Sequence, residues 1–152
     1  MSSLKDQIQS DLTSATKSQE TLTMSTLRMV LAAIRNEEVA GKVARELSDA
    51  DIITVLNREA KKRKEAAVAY DEASRPELAA KEREELDVIA GYLPAALSDD
   101  ELADIVRAAV ASAAQAGHTG PGAMGAVMKL VTPQVAGRAD GAAVAAAVKA
   151  AL

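Results

Sequence analysis

The sequence predicts an all-α protein, and three observations lead to that prediction. Apolar residues recur at helical spacing from end to end, capping residues precede several of these stretches, and strand patterns are nearly absent. The 152 residues include no Cys, Trp or Phe, and the aromatic side chains are Tyr70 and Tyr92. A core of Leu, Ile, Val, Met and Ala suits helices, because Ala is the best helix former and small side chains permit close approach.

Three helices are predicted in the first half of the chain. Ser3 is expected to cap the first, and the second is expected to fade near Gly41. Ser48 and Asp51 resemble a capping box, with Asp in place of Glu or Gln, that opens a third helix running to about Ala73. The apolar stripes of these helices are, in order, Leu4, Ile8, Leu12 and Ala15; Met24, Leu27, Leu31 and Ile34; and Ile52, Leu56, Ala60, Ala67 and Tyr70.

A fourth helix is predicted to begin at the sequence Ser-Arg-Pro-Glu, residues 74–77. Ser74 would be its N-cap, Pro76 would lie in the first turn and Glu77 would complete a capping box. Pro94 would end it, because proline disfavours helical geometry at the residue before it. Its apolar positions are Leu78, Leu86, Ile89 and Leu93.

Beyond Pro94 the sequence becomes rich in Ala and poor in charge, and three more helices are predicted. Ser98 and Glu101 form a full capping box for the fifth helix, and Gly117 should stop it. The stripes of these helices are Leu102, Ile105, Val106, Ala109 and Val110; Val127, Met128 and Val131; and Val144, Val148 and Leu152. We therefore expect an N-terminal four-helix unit, residues 1–94, and a smaller three-helix C-terminal domain, residues 95–152.

Composition restricts the classes of function. The net charge of −4 and the pI of about 5.1 argue against strong general affinity for nucleic acid. Without Cys there can be no disulfide, thiolate zinc site or cysteine nucleophile. The N-terminus lacks an apolar signal region, and no apolar run is long enough to span a membrane. These features predict a soluble, cytoplasmic protein without a membrane partner.

Several motifs that carry chemistry elsewhere are interpreted as structural here. Gly120, Gly122 and Gly125 match the dinucleotide pattern G-x-G-x-x-G, but that site needs a preceding β-strand and none is predicted. His118 is the only histidine and has no ligand partner at suitable spacing, and the acids at 99–101 are ordinary first-turn residues of a helix. We therefore expect no catalytic residue, no metal site and no cofactor.

The densest basic run, residues 58–66, separates into two parts on a helix. Arg63 falls inside the apolar stripe with Glu59 at its edge, spaced i,i+4 with the acid first, which predicts a structural ion pair. Arg58, Lys61 and Lys62 gather on the solvent side. That exposed patch is either a solvated helix face or a binding surface.

A corner before the last helix forms another candidate site. Gly137 suits a left-handed position that closes a helix, and Asp140 suits the N-cap of the next one. Arg138 would then project near the positive end of the final helix. Either the corner binds phosphate, or it is a capped turn whose arginine pairs with a neighbouring acid.

Several stretches in order along the chain resemble the GatB/YqeY family, small proteins similar to the C-terminal tail of the B subunit of glutamyl-tRNA(Gln) amidotransferase. The resemblance implies an N-terminal helical bundle joined to a three-helix domain. It departs from the family pattern at Ala126, where relatives commonly carry Lys. The matching stretches are Thr26–Asn36, Glu59–Glu65, Tyr92–Pro94 with Ser98, Met124–Met128 and Gly137–Gly141.

The resemblance implies a link to glutamine-dependent carbon–nitrogen ligation on tRNA, but no catalytic centre in this chain. We expect a non-catalytic helical adaptor that binds tRNA weakly and salt-dependently, or binds an amidotransferase or an aminoacyl-tRNA synthetase. The alternatives are a protein-interaction module without an RNA role and, last, an amidotransferase-type enzyme in its own right. The cations proposed for tRNA contact are Arg28, Arg35, Arg58, Lys61, Lys62, Lys129 and Arg138.

Overall fold

The computed structural model describes residues 3–152, and all regular secondary structure in that range is helical. The all-α prediction is therefore confirmed. A short 3-10 turn, Pro121–Ala123, precedes the sixth helix. The helices are α1 (Leu4–Lys17), α2 (Thr21–Glu38), α3 (Asp49–Glu72), α4 (Pro76–Ala90), α5 (Asp99–Gln115), α6 (Met124–Val135) and α7 (Gly141–Ala151).

The chain divides into two compact units, Met1–Leu93 and Pro94–Leu152, and each has its own apolar core. In the first unit α3 packs most extensively on α4, and α2 contacts the other three helices; in the second, α5 packs on both α6 and α7. The first core comprises Ile8, Leu27, Val30, Ile34, Leu47, Ile52, Val55, Leu56, Ala60 and Ile89. The second comprises Leu102, Val106, Ala109, Ala113, Ala123, Val127, Val131, Val135, Val144 and Val148.

Three serine N-caps lie where the sequence predicts them. Ser3, Ser48 and Ser98 each accept a hydrogen bond from the backbone N–H three residues later. The acid at that third position accepts in return from the N–H of the serine, so all three helices open with a complete capping box. These caps fix the starts of α1, α3 and α5.

The predicted cap of α4 is wrong. Ser74 instead has a left-handed backbone, φ 58°, and closes α3. The N–H of Arg75 donates to the carbonyl of Tyr70 at 2.8 Å, and that of Ser74 donates to Asp71 at 3.1 Å, the pattern of a Schellman motif. Arg75 is then the N-cap of α4 and makes no side-chain capping bond. The connection is so short that the chain-reversing position falls on the serine.

Helices α1 and α5 end in the same way. Gln19 has φ 57° and Gly117 has φ 90°, and the next N–H in each case donates back into the last helical turn. Gly117 therefore stops α5 as predicted. In α2 the predicted stripe is partly wrong, because Val30 is fully buried whereas Met24 and Leu31 are only partly buried.

Candidate functional site

A buried ion network links α3 and α4 in the first unit. Arg63 is 7 % exposed, and its Nη1 donates to the Glu59 carboxylate at 2.7 Å and to the Glu59 carbonyl at 3.0 Å. The predicted ion pair is therefore present. A second carboxylate, Glu85 on α4, is also buried and lies 3.5 Å from Arg63 Nε. Two acids thus surround one buried guanidinium.

The electrostatics of this network favour its charged form. Burial on its own raises the pKa of Glu59, but hydrogen bonds from Arg63 and Lys62 outweigh that effect, and the pKa is lowered overall. A buried carboxylate is tolerated when a cation faces it, and the Arg63 guanidinium supplies that cation for both acids.

The outward cations of α3 are exposed, as the helical spacing predicts, but two of them are already paired with acids. Arg58 contacts Glu37 of α2 at 3.0 Å, and Lys62 contacts Glu59 at 3.1 Å. Lys61 is exposed and makes no ion pair with any residue in the range 3–152. The basic run therefore offers less unpaired charge than its sequence suggests.

Two other arginines form an accessible pair on α2. Arg28 and Arg35 are both exposed, and neither makes an ion pair within the described part of the chain. They lie seven residues apart, so they share one face of the helix at a spacing of roughly 10 Å, with the small Ala32 between them. We call Ser25, Arg28, Ala32 and Arg35, all of them exposed, the α2 arginine face.

No acid of α2 competes for this face. Glu37 is about half a turn of the helix away from both arginines, and it is engaged by Arg58 of α3. Glu38 is engaged by Lys5 of α1 at 2.7 Å. Arg28 and Arg35 therefore point away from the α2–α3 contact and form a surface separate from the α3 cations.

The second unit has one exposed face that combines glycine and lysine. Gly122, Gly125 and Lys129 are all exposed, and Gly125 and Lys129 are four residues apart on α6. A Cβ atom added at Gly122 or Gly125 would meet no other atom within 4 Å. Packing therefore does not require glycine at either position, and the space around the two glycines is open.

The corner at Arg138 is held by backbone contacts. The Arg138 Nε donates to the carbonyl of Ala95 at 3.2 Å, and the N–H of Leu97 donates to the carbonyl of Arg138 at 2.9 Å. Arg138 thus holds the segment leading into α5 through a backbone carbonyl, whereas one of the two alternatives expected an acid as its partner. Phosphate binding at this corner, the other alternative, stays a prediction.

The two residues beside Arg138 keep part of their expected roles. Gly137 has φ 74° and occupies the glycine position of a type II turn closed by a 2.8 Å bond from the N–H of Arg138 to the carbonyl of Val135. Asp140 is the N-cap residue of α7, but its side chain makes no capping hydrogen bond. The predicted N-cap position of Asp140 is therefore confirmed, but the capping hydrogen bond is absent.

The remaining motifs lie in the second unit. His118 is exposed, and the glycines at 120, 122 and 125 lie in a loop, the 3-10 turn and α6. Within residues 3–152, no three His, Asp or Glu side chains converge in a way that could hold a metal ion. No helix in that range has the length and apolar character needed to cross a membrane.

Comparison with known proteins agrees with the sequence resemblance. The family model of the Yqey-like proteins matches residues 5–152, which is nearly the whole chain. No curated protein matches it. The chain belongs to the Yqey-like protein family.

Proposed function

We propose that this member of the Yqey-like family is a non-catalytic helical adaptor that binds tRNA. The α2 arginine face is the observation that carries the proposal. In a chain with a net charge of −4, it presents two arginines that no neighbouring acid neutralises. Both lie in the stretch Thr26–Asn36 that carries the family resemblance.

Arginine suits phosphate contact for a physical reason. Its planar guanidinium can donate two parallel hydrogen bonds to one phosphate, and it stays charged at any physiological pH. Small side chains between the arginines leave room for a backbone to lie along the helix. The open face of Gly122, Gly125 and Lys129 supports the same proposal in the second unit, because a phosphate backbone could approach closely there.

The acidic balance of the chain limits the expected strength of binding. Phosphate contacts supply most of the affinity of non-specific nucleic-acid binding, and few unpaired cations are available here. We therefore propose weak, salt-dependent binding that assists a larger tRNA-modifying assembly, an amidotransferase or an aminoacyl-tRNA synthetase, in the cytoplasm.

A protein-interaction module without an RNA role is the second candidate. The loop between α2 and α3 favours it, since Val39 and Val43 are 60 % and 79 % exposed there. Contiguous exposed apolar surface marks sites that bind other proteins, and these two valines lie four residues apart in one loop.

Binding to total tRNA, followed by fluorescence anisotropy across a salt series, separates the two candidates. The double variant Arg28→Ala/Arg35→Ala should weaken binding several-fold and make the dependence of log Kd on log salt shallower by roughly one to two units. The variant Lys64→Ala/Lys81→Ala removes the same charge from exposed positions of α3 and α4 and should change both quantities less. Equal losses in the two variants, or no measurable binding by the wild type, would contradict the proposed tRNA surface.

A further inference from the structure

The buried guanidinium of Arg63 is incompletely satisfied at one end. Its Nη1 has two oxygen acceptors on Glu59, whereas Nε is buried without a hydrogen-bond acceptor in the described chain. Its Nη2 donates to the Sδ atom of Met29 on α2, 3.7 Å away. A thioether sulfur is a weak acceptor. This charged donor therefore faces sulfur where an oxygen would bind it more strongly.

Met29 is also the most accessible methionine in the described chain. It is 40 % exposed, whereas Met24, Met124 and Met128 are only partly exposed and fall below that level. Met29 is thus 40 % exposed as a residue, and its sulfur contacts the buried guanidinium of Arg63. We expect an oxidant in solution to attack this methionine before the less exposed ones.

We propose that Met29 is an oxidation site whose sulfoxide is held by Arg63. Hydrogen peroxide supplies the oxygen: the sulfur lone pair attacks one of its oxygens, an S–O bond forms and the O–O bond breaks. The departing hydroxide takes the proton of the transferred oxygen and leaves as water. The sulfur loses two electrons and the peroxide gains them. The new sulfoxide oxygen is a strong acceptor and takes the hydrogen bond of Arg63 Nη2 that sulfur accepts weakly.

The consequence for the fold is opposite to the usual one. Sulfoxide formation generally disrupts apolar contacts because it places a polar oxygen among carbon atoms. Here the oxygen meets a charged donor, and hydrogen bonds to charged groups are stronger than neutral ones. Oxidation thus strengthens the tie between α2 and α3 at the edge of the first core.

The test treats the full chain with limiting hydrogen peroxide and maps each methionine by mass spectrometry. Met29 should oxidise at least about threefold faster than Met24, which lies on the same helix but is less exposed. The melting temperature is then compared before and after oxidation in a Met24→Leu background. It should stay constant or rise. A fall of several degrees, or equal oxidation rates at the two residues, would refute the proposal.

The role of Arg63 is tested separately. Arg63→Lys keeps a positive charge beside Glu59 but removes the donor that faces Met29, so oxidation should now lower the melting temperature. If that variant does not fold, NMR of arginine-labelled wild-type protein reads the same contact. The Nη2 protons of Arg63 should shift downfield on oxidation, and an unchanged signal would overturn the assignment. Met29→Leu should abolish each of these responses.

Discussion

At the scale of single residues, Arg63 has the largest structural consequence in the first unit. Its charge faces Glu59 and Glu85, and all three side chains are removed from most solvent. A buried ion pair contributes little net stability over an apolar replacement, but removing one member leaves the other charges buried and uncompensated. The direction of the effect therefore depends on which member is removed and on what replaces it.

Arg63→Ala should lower the free energy of unfolding by about 3 kcal/mol, because two carboxylates lose their common cation. Urea denaturation measures this directly. Lys62→Ala, which removes an exposed cation of the same helix, should change stability by less than about 1 kcal/mol. Similar losses in the two variants would show that the guanidinium is solvated in solution.

Tyr92 gives a prediction about pH. Burial raises the pKa of its phenol, and the hydrogen bond that it donates to the Asp11 carboxylate raises it further. The fold therefore favours the protonated phenol, so the contribution of Tyr92 is complete below its ordinary pKa near 10 and is lost as the pH rises beyond it. At neutral pH the Tyr92→Phe variant should be less stable than the wild type. Between neutral and strongly alkaline pH it should lose less stability than the wild type does. Tyr70→Phe serves as the control.

At the scale of elements, helix ends explain where sequence patterns are reliable. The capping boxes at Ser3, Ser48 and Ser98 each depend only on two residues three positions apart, so the local sequence is sufficient to predict them. The pattern at Ser74 is equally good, yet the short connection between α3 and α4 needs a left-handed residue at that point. A tertiary requirement thus overrides a local preference.

Substitutions at two serines separate these roles. Ser48→Ala should cost about 1 kcal/mol, because the cap of α3 is lost. Ser74→Ala should be nearly neutral, and Ser74→Gly should stabilise the chain by up to about 1 kcal/mol, because glycine adopts the left-handed conformation without strain. The melting temperatures of the three variants give the order of their stabilities. If Ser74 were a cap, its alanine variant would be the damaging one.

Side-chain contacts between different helices could not be predicted from the sequence. The pair of Glu59 and Arg63 follows from i,i+4 spacing, but Glu85 and Met29 come from other helices and reach Arg63 only after the bundle packs. Likewise, the sequence proposes Arg28 and Arg58 alike for tRNA contact. Only the packed structure shows that Glu37 pairs with Arg58.

At the scale of the whole molecule, two separate cores indicate two units that can each fold. The second core is made of Val, Leu and Ala from α5, α6 and α7, and the segment before α5 is fastened within the same unit by Arg138. Its small side chains bury limited area, and domains of this size are marginal in stability.

Because the second unit has its own core, a fragment of residues 94–152 should fold alone, with helical circular dichroism and a single unfolding transition of low stability. In that fragment Arg138→Ala should lower the melting temperature, because the segment at 95–97 loses one of its two attachments. Asp140→Ala should have a smaller effect, since its carboxylate makes no capping bond. A fragment without helical signal would show that the second unit needs the rest of the chain.

The placement of the two tyrosines determines what optical methods can detect. Both lie in the first unit, and the chain has no tryptophan or phenylalanine. Near-ultraviolet absorbance and intrinsic fluorescence therefore report on α1–α4 alone, and the second unit is invisible to them. A tryptophan introduced at the exposed Leu130 of α6 would give that unit its own signal. An unfolding curve followed by tyrosine fluorescence reports the first unit, whereas circular dichroism reports the helices of both units. A difference between the two curves would then show that the units unfold separately.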